Sequence, residues 1–233
     1  LYGQLSNINN WVRFCDKEKI FLIEDCAQAH LSKSNNKYAG SFGIAGAYSF
    51  YPTKNLSALG DAGAIITNDK TISSQATKLR NYGQSEKYCH TEVGMNSRLD
   101  EIHAAILLER LKWLNKFTER RKEIAKIYHK EISNSIVNLL KRPMTYESHV
   151  YHLFVVTCAK RNLLQKHLKA KNIQSLIHYP VPFHHQEPCL SINRDPHGLQ
   201  VSEEHSRQCL SLPCHPQMSE EDIGAVIEAV NSF

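Results

Sequence analysis

Three short stretches of this chain hold side chains that could do chemistry together. Glu24-Asp25-Cys26-Ala27-Gln28-Ala29-His30 follows a short apolar run. Ser49-Phe50-Tyr51-Pro52-Thr53-Lys54-Asn55 leads into Gly60-Asp61-Ala62-Gly63. Gly94-Met95-Asn96-Ser97-Arg98-Leu99-Asp100 opens a long amphipathic stretch. The first two put an acid, a hydroxyl and a lysine near the ends of buried strands. A pyridoxal-phosphate (PLP) enzyme needs such a set. Its lysine must lose a proton to form a Schiff base, and desolvation or nearby positive charge promotes that. Its acid keeps the pyridine nitrogen protonated, and its phosphate needs hydroxyl and N–H donors. Spacing alone does not single out Lys54, because lysines after strands are common and most are simply exposed.

The elements that would position these groups alternate between strand and helix. Phe21-Leu22-Ile23 reads as a strand buried on both faces, ending at Glu24-Asp25. In open α/β sheets ligands gather at the carboxyl ends of strands. Ala47 to Tyr51 reads as a second strand stopped by Pro52, and Ala64 to Thr67 as a third. A helix is expected from Thr71 to Arg80, and a long one from Leu99 to Ile132 carrying Ile102, Ala105, Ile106, Leu108, Leu111, Trp113 and Leu114. Beyond it, His149 to Val156 and Ile173 to Tyr179 read as strands and Leu163 to Lys171 as a helix. Ser219 caps a last helix whose apolar stripe is Ile223, Val226, Ile227 and Val230. The fold class expected is α/β, with a small α+β unit at the end.

Composition narrows the classes. The chain has 233 residues, 42% hydrophobic and 22% charged, with a formal net charge of +5. The basic excess is mild and scattered, which gives no case for nucleic acid. No apolar run approaches the roughly 18–20 residues of a membrane helix. The seven cysteines are odd in number and irregular in spacing, the pattern of free thiols in a reducing compartment, so the cytoplasm is expected. His184, His185 and Cys189 lack the paired close spacing of a structural zinc site, as do Cys209, Cys214 and His215, so no metal is expected.

Several motifs in register resemble the DegT/DnrJ/StrS family of PLP-dependent nucleotide-sugar aminotransferases. They are Ile23 to His30, Ala47 to Thr67, Leu79-Arg80-Asn81-Tyr82-Gly83, Asn96 to Glu101, Ile177 to Pro182, Leu210 to Pro213 and His215-Pro216-Gln217. The resemblance implies a fold-type I transferase. Residues 1–115 would be the remainder of the PLP-binding large domain and 116–233 a small carboxy-terminal domain, bridged by the helix over about 99–132. Lys54 matches the Schiff-base lysine, Asp25 the acid at the pyridine nitrogen, Gln28 the contact to the ring 3-hydroxyl and Ser49 a phosphate-binding hydroxyl. Asn96 matches an asparagine that reaches the phosphate of the neighbouring subunit, which implies a homodimer with shared sites. His178 and Tyr179 match the sugar-nucleotide end of the site.

The implied reaction moves an amino group from L-glutamate to a keto group of a nucleotide-linked deoxyhexose. Ile177 to Pro180 looks most like enzymes acting on the 3-keto position of a dTDP-6-deoxyhexose. Members that dehydrate instead carry histidine where this chain has Lys54. The alternative is a non-catalytic remnant or regulatory member of the same fold. The motifs begin in the family's middle, so roughly the first third of such an enzyme, with other phosphate donors and the aromatic stacked on the ring, is expected to precede Leu1. The chain by itself is then expected to bind PLP poorly.

Overall fold

A computed structural model describes residues 1–143 and 145–233. The chain divides into two compact units, Leu1–Glu119 with Pro143–His152, and Arg120–Arg142 with Leu153–Phe233.

Unit 1 begins with α1 (Ile8–Glu18), which buries Ile8 and Cys15 and ends at Lys19 in the left-handed conformation. β1 (Ile23–Asp25) follows, then a hairpin of β2 (Lys33–Ser34) and β3 (Lys37–Tyr38). β4 (Ala45–Ser49) pairs in parallel with β1, Asp25 opposite Ala47. β5 (Gly63–Ile66) pairs antiparallel on the far side of β4, giving the order β1-β4-β5. α2 (Lys70–Leu79) starts where Asp69 accepts the N–H groups of Thr71 and Ile72 at 2.7 and 3.0 Å, two of the donors that a helix start leaves unpaired. A second hairpin, β6 (Gln84–Glu86) with β7 (Cys89–His90), leads to α3 (Glu101–Glu131). Within this unit Leu107 and Leu114 of α3 pack on Leu56 and Ala58, just past Lys54. The unit boundary falls between Glu119 and Arg120, inside α3.

Unit 2 is built on an antiparallel sheet of order β10-β9-β8, from β8 (Asn138–Leu139), β9 (Phe154–Thr157) and β10 (Cys209–Leu212). α4 (Arg161–Ala170), α5 (Gln200–Gln208) and α6 (Glu220–Asn231) complete it. Ile124, Tyr128, Val156, Leu164, Leu168, Leu210, Ile223 and Val230 form its buried interior. Ser219 and Asp222 make the reciprocal bonds of a capping box at α6, as the sequence predicts.

Some expected elements differ. The strand expected at Phe21–Ile23 lies two residues later, and Phe21 and Ile23 are 80% and 69% exposed rather than buried. Apolarity marks a surface suited to burial, and no described residue covers this one. Only the end of the stretch His149–Val156 is strand. Ile173–Tyr179 forms no strand; its Leu176 alone bridges to Ser211. No helix among the described residues is long and apolar enough to cross a membrane.

Candidate active site

Because β1 and β4 run parallel, Asp25 and Ser49 finish at the same edge of the sheet. The chain turns immediately after Ser49. The Lys54 N–H donates to the Tyr51 carbonyl at 2.8 Å and the Ala58 N–H to the Phe50 carbonyl at 2.7 Å, so Lys54 rides on a closed loop rather than a free one. Its neighbour Asn55 is buried and ties that loop down. Asn55 Nδ2 donates to the Val150 carbonyl at 3.3 Å, and Asn55 Oδ1 lies 3.1 Å from His152 Nδ1. Asn55 and His152 were not singled out in the sequence, where 97 positions separate them.

Alternation along β1 sends Glu24 inward and Asp25 outward. Glu24 is buried, and its carboxylate accepts three backbone N–H groups, from Gly40 at 2.6 Å, Phe42 at 2.7 Å and Gly43 at 2.8 Å. Gly40 has φ +86, and a Cβ at Gly43 would meet the Leu22 carbonyl oxygen at 2.2 Å, so this nest of donors needs glycine. Asp25 Oδ1 accepts the Ala27 N–H at 3.0 Å. Gln28 Oε1 accepts the Tyr2 N–H, which fixes the orientation of the amide.

Electrostatics tie these groups together. Burial lowers the Lys54 pKa, and Asp25 opposes it by raising it. The amine is therefore driven toward its neutral form while an anion lies within reach of its charge. His30 is buried beside Tyr48 and Phe50, in tilted ring contacts with centroids 5.2 and 5.8 Å away. Neither of its ring nitrogens has a hydrogen-bond partner among the described residues. Burial first, and then the charge on Lys54, push its pKa down to about 4; the Ser49 backbone opposes this slightly, from a position short of hydrogen-bond geometry.

This gives a pH dependence of stability. Between the ordinary histidine value of about 6.5 and the folded value of about 4, the unfolded chain binds a proton that the folded chain refuses. The contribution of His30 is complete above the upper value and is lost as pH falls through the window, by about 3 kcal/mol in all. Urea unfolding at pH 7 and pH 4 should show the wild type losing about that much more than His30→Gln. Equal losses in the two proteins would show that His30 does not titrate this way.

Asn96 lies in the same unit, in an isolated antiparallel bridge with Asn81. It does not cap the long helix, which starts at Glu101. Its Oδ1 accepts from Arg98 Nε at 3.1 Å, and the Arg98 guanidinium sits 5.5 Å from the Tyr82 ring centre. His178 and Tyr179 belong to unit 2. There His178 Nδ1 lies 2.8 Å from the Ser211 hydroxyl, while Tyr179 is exposed. Asp25, Ser49 and Lys54 are thus brought together, with Gln28 beside them on the turn that follows β1. His178 and Tyr179 form a second group within their own unit.

An acid, an amide, a hydroxyl and a lysine thus lie at the carboxyl edge of the sheet in unit 1. The chain belongs to the DegT/DnrJ/EryC1/StrS aminotransferase family, which it matches over residues 1–231. It is 43% identical over 233 residues to the dTDP-3-amino-3,6-dideoxy-alpha-D-galactopyranose transaminase of Aneurinibacillus thermoaerophilus. It is 36% identical over 235 residues to the pleiotropic regulatory protein of Geobacillus stearothermophilus. All of this chain is matched in both comparisons, and it spans 63% of the length of each relative. A solved DegT DnrJ EryC1 StrS aminotransferase from Brucella abortus superimposes with a TM-score of 0.94 at 34% identity, covering 100% of this chain and 62% of that one.

Proposed function

We propose that this chain carries the amine-handling half of a PLP-dependent nucleotide-sugar aminotransferase. The enzyme would move an amino group from L-glutamate to a keto group, at C3, of a dTDP-linked 6-deoxyhexose. The observation that carries this reading is the placement of Lys54 near Asp25, on a loop closed by its own backbone bonds and tied down by Asn55 at the carboxyl edge of the sheet.

The residues fit PLP by the chemistry of their donor set. Lys54 offers an amine whose pKa burial lowers, and Asp25 a carboxylate for a protonated ring nitrogen. Gln28 offers an amide for the ring oxygen and Ser49 a hydroxyl for the phosphate. The buried His30, with both nitrogens lacking a partner among the described residues, is suited to a neighbourhood completed by a polar ligand. Bound PLP supplies an aldehyde that takes up amines and a ring that draws electrons from the carbon next to the nitrogen. Asp25 would hold the proton on the ring nitrogen. Lys54 Nζ, when neutral, would accept the proton from the donor Cα and deliver it to the carbon that carried the aldehyde, and would carry a proton the opposite way when the amine passes to the keto sugar. His178 and Tyr179 are proposed to face the sugar nucleotide.

Unit 1 is read as part of the PLP-binding large domain and unit 2 as the small carboxy-terminal domain. The name of the 43% identical relative supports a dTDP-linked substrate aminated at C3. The seven cysteines are all free thiols, which supports the cytoplasm as its compartment. Asn96 is proposed to serve the site of the other subunit in a homodimer. Mixing Lys54→Ala and Asn96→Ala chains should then raise activity above either parent, and heterodimers that show no rise would exclude the sharing.

The central test is covalent. Borohydride reduction of the PLP-loaded complete gene product, followed by peptide mapping, should place the pyridoxyl group on Lys54. Label on another lysine, or on none, would defeat the assignment.

A further inference from the structure

We propose that His184, His185 and Glu203 form a zinc site that clamps the loop carrying the two histidines onto α5. The histidines are consecutive in a one-turn 3₁₀ helix, Phe183–His185, and Glu203 lies in the first turn of α5. One ligand atom from each residue lies within 4.8 Å of the others. His184 Nε2 is 3.2 Å and His185 Nε2 3.6 Å from the same carboxylate oxygen, Glu203 Oε1. Zinc bonds of about 2.0–2.1 Å in a tetrahedron set neighbouring ligand atoms roughly 3.3–3.4 Å apart. The two observed separations bracket that spacing, so a cation could enter with small side-chain rotations.

The donor set selects the metal. Two imidazoles and one carboxylate suit zinc and its transition-metal neighbours, whereas calcium and magnesium prefer all-oxygen shells. Glu203 contributes one negative charge to balance a divalent ion. Arg207 Nη1 approaches the other oxygen, Oε2, at 4.0 Å and is 67% exposed. It leaves Oε1 to the histidines, and its charge is largely screened by solvent. His184 is buried and His185 exposed, so a water can complete four-coordination on the outer side. The sequence grouped these histidines with Cys189. The fold groups them instead with Glu203, 18 residues past His185.

All the residues involved belong to unit 2, and the proposal is independent of the PLP reading. The full chain, dialysed against a chelator and then titrated calorimetrically with zinc sulfate, should bind one zinc per chain at this site. Cobalt(II) in its place should give the visible bands of a four-coordinate nitrogen–oxygen site, without the near-ultraviolet thiolate band that binding to cysteine produces. His185→Leu leaves the His184–Glu203 contact intact, and its circular dichroism should match wild type. It should weaken zinc binding at least tenfold, and Glu203→Gln should do the same. If Glu203→Gln fails to fold, His185→Leu decides alone. No zinc uptake, uptake unmoved by His185→Leu, or a thiolate band with cobalt would each overturn the site.

Discussion

Asp25→Asn in the complete gene product should lower turnover on the order of a thousandfold, the scale of losing one charge-stabilising group at a reacting centre. The substitution is nearly silent for the fold. The hydrogen bond recorded for the Asp25 side chain is accepted by Oδ1 from the Ala27 N–H at 3.0 Å, and an asparagine oxygen can accept it equally. The change also makes Lys54 more available as a free amine, because Asp25 is the group that raises the Lys54 pKa against burial. A loss of rate therefore cannot be ascribed to a protonated lysine. The expected loss follows from the role proposed for Asp25 at the ring nitrogen, whose proton an amide cannot hold against deprotonation. Steady-state kinetics with circular dichroism as the control would test this, and turnover within a few-fold of wild type would remove Asp25 from the role.

Glu24→Gln should instead damage the fold, by about 3 kcal/mol in urea unfolding. Oε1 of Glu24 accepts from Phe42 and Gly43, and Oε2 accepts from Gly40. An amide keeps one of the two acceptor atoms and turns the other into a donor that faces an N–H. At least one bond to a charged group is lost, typically worth ~1.5–3 kcal/mol, and a buried donor is left without a partner. A midpoint unchanged within error would show that the loop 39–43 is held by other contacts.

The sequence made part of this legible. α2, α3, α4 and α6 fall within about two residues of their expected bounds, because helical periodicity and caps such as Ser219 are local signals. Asp25, Ser49 and Lys54 are assigned by the family resemblance of the motifs that hold them, and spacing alone does not single them out. The strand expected at Phe21–Ile23 is displaced to Ile23–Asp25 and Ile173–Tyr179 forms no strand, because an apolar run reports a tendency to burial, not a pairing partner. β1 pairs only from Ile23, where Ala45 comes opposite, and Leu176 meets only Ser211. The supports of the site were out of reach for a related reason. Gly40, Phe42 and Gly43 close on Glu24, and His152 closes on Asn55, through contacts far apart in the chain. No local pattern announces such pairs.

The three-residue β1 sets two carboxylates side by side and sends them to opposite faces. One is consumed in holding a loop, and the other is presented at the edge where Lys54 arrives. A deletion of a single residue upstream within this strand would put the Asp25 side chain, one methylene too short, before the three loop donors and leave Cys26 at the edge near the lysine. An insertion would bring Glu24 to that edge and turn Ile23 toward the donors. Either event disturbs the loop and the edge together. The strand can therefore change by substitution but hardly by slippage, and its length is under a constraint that neither acid would impose alone.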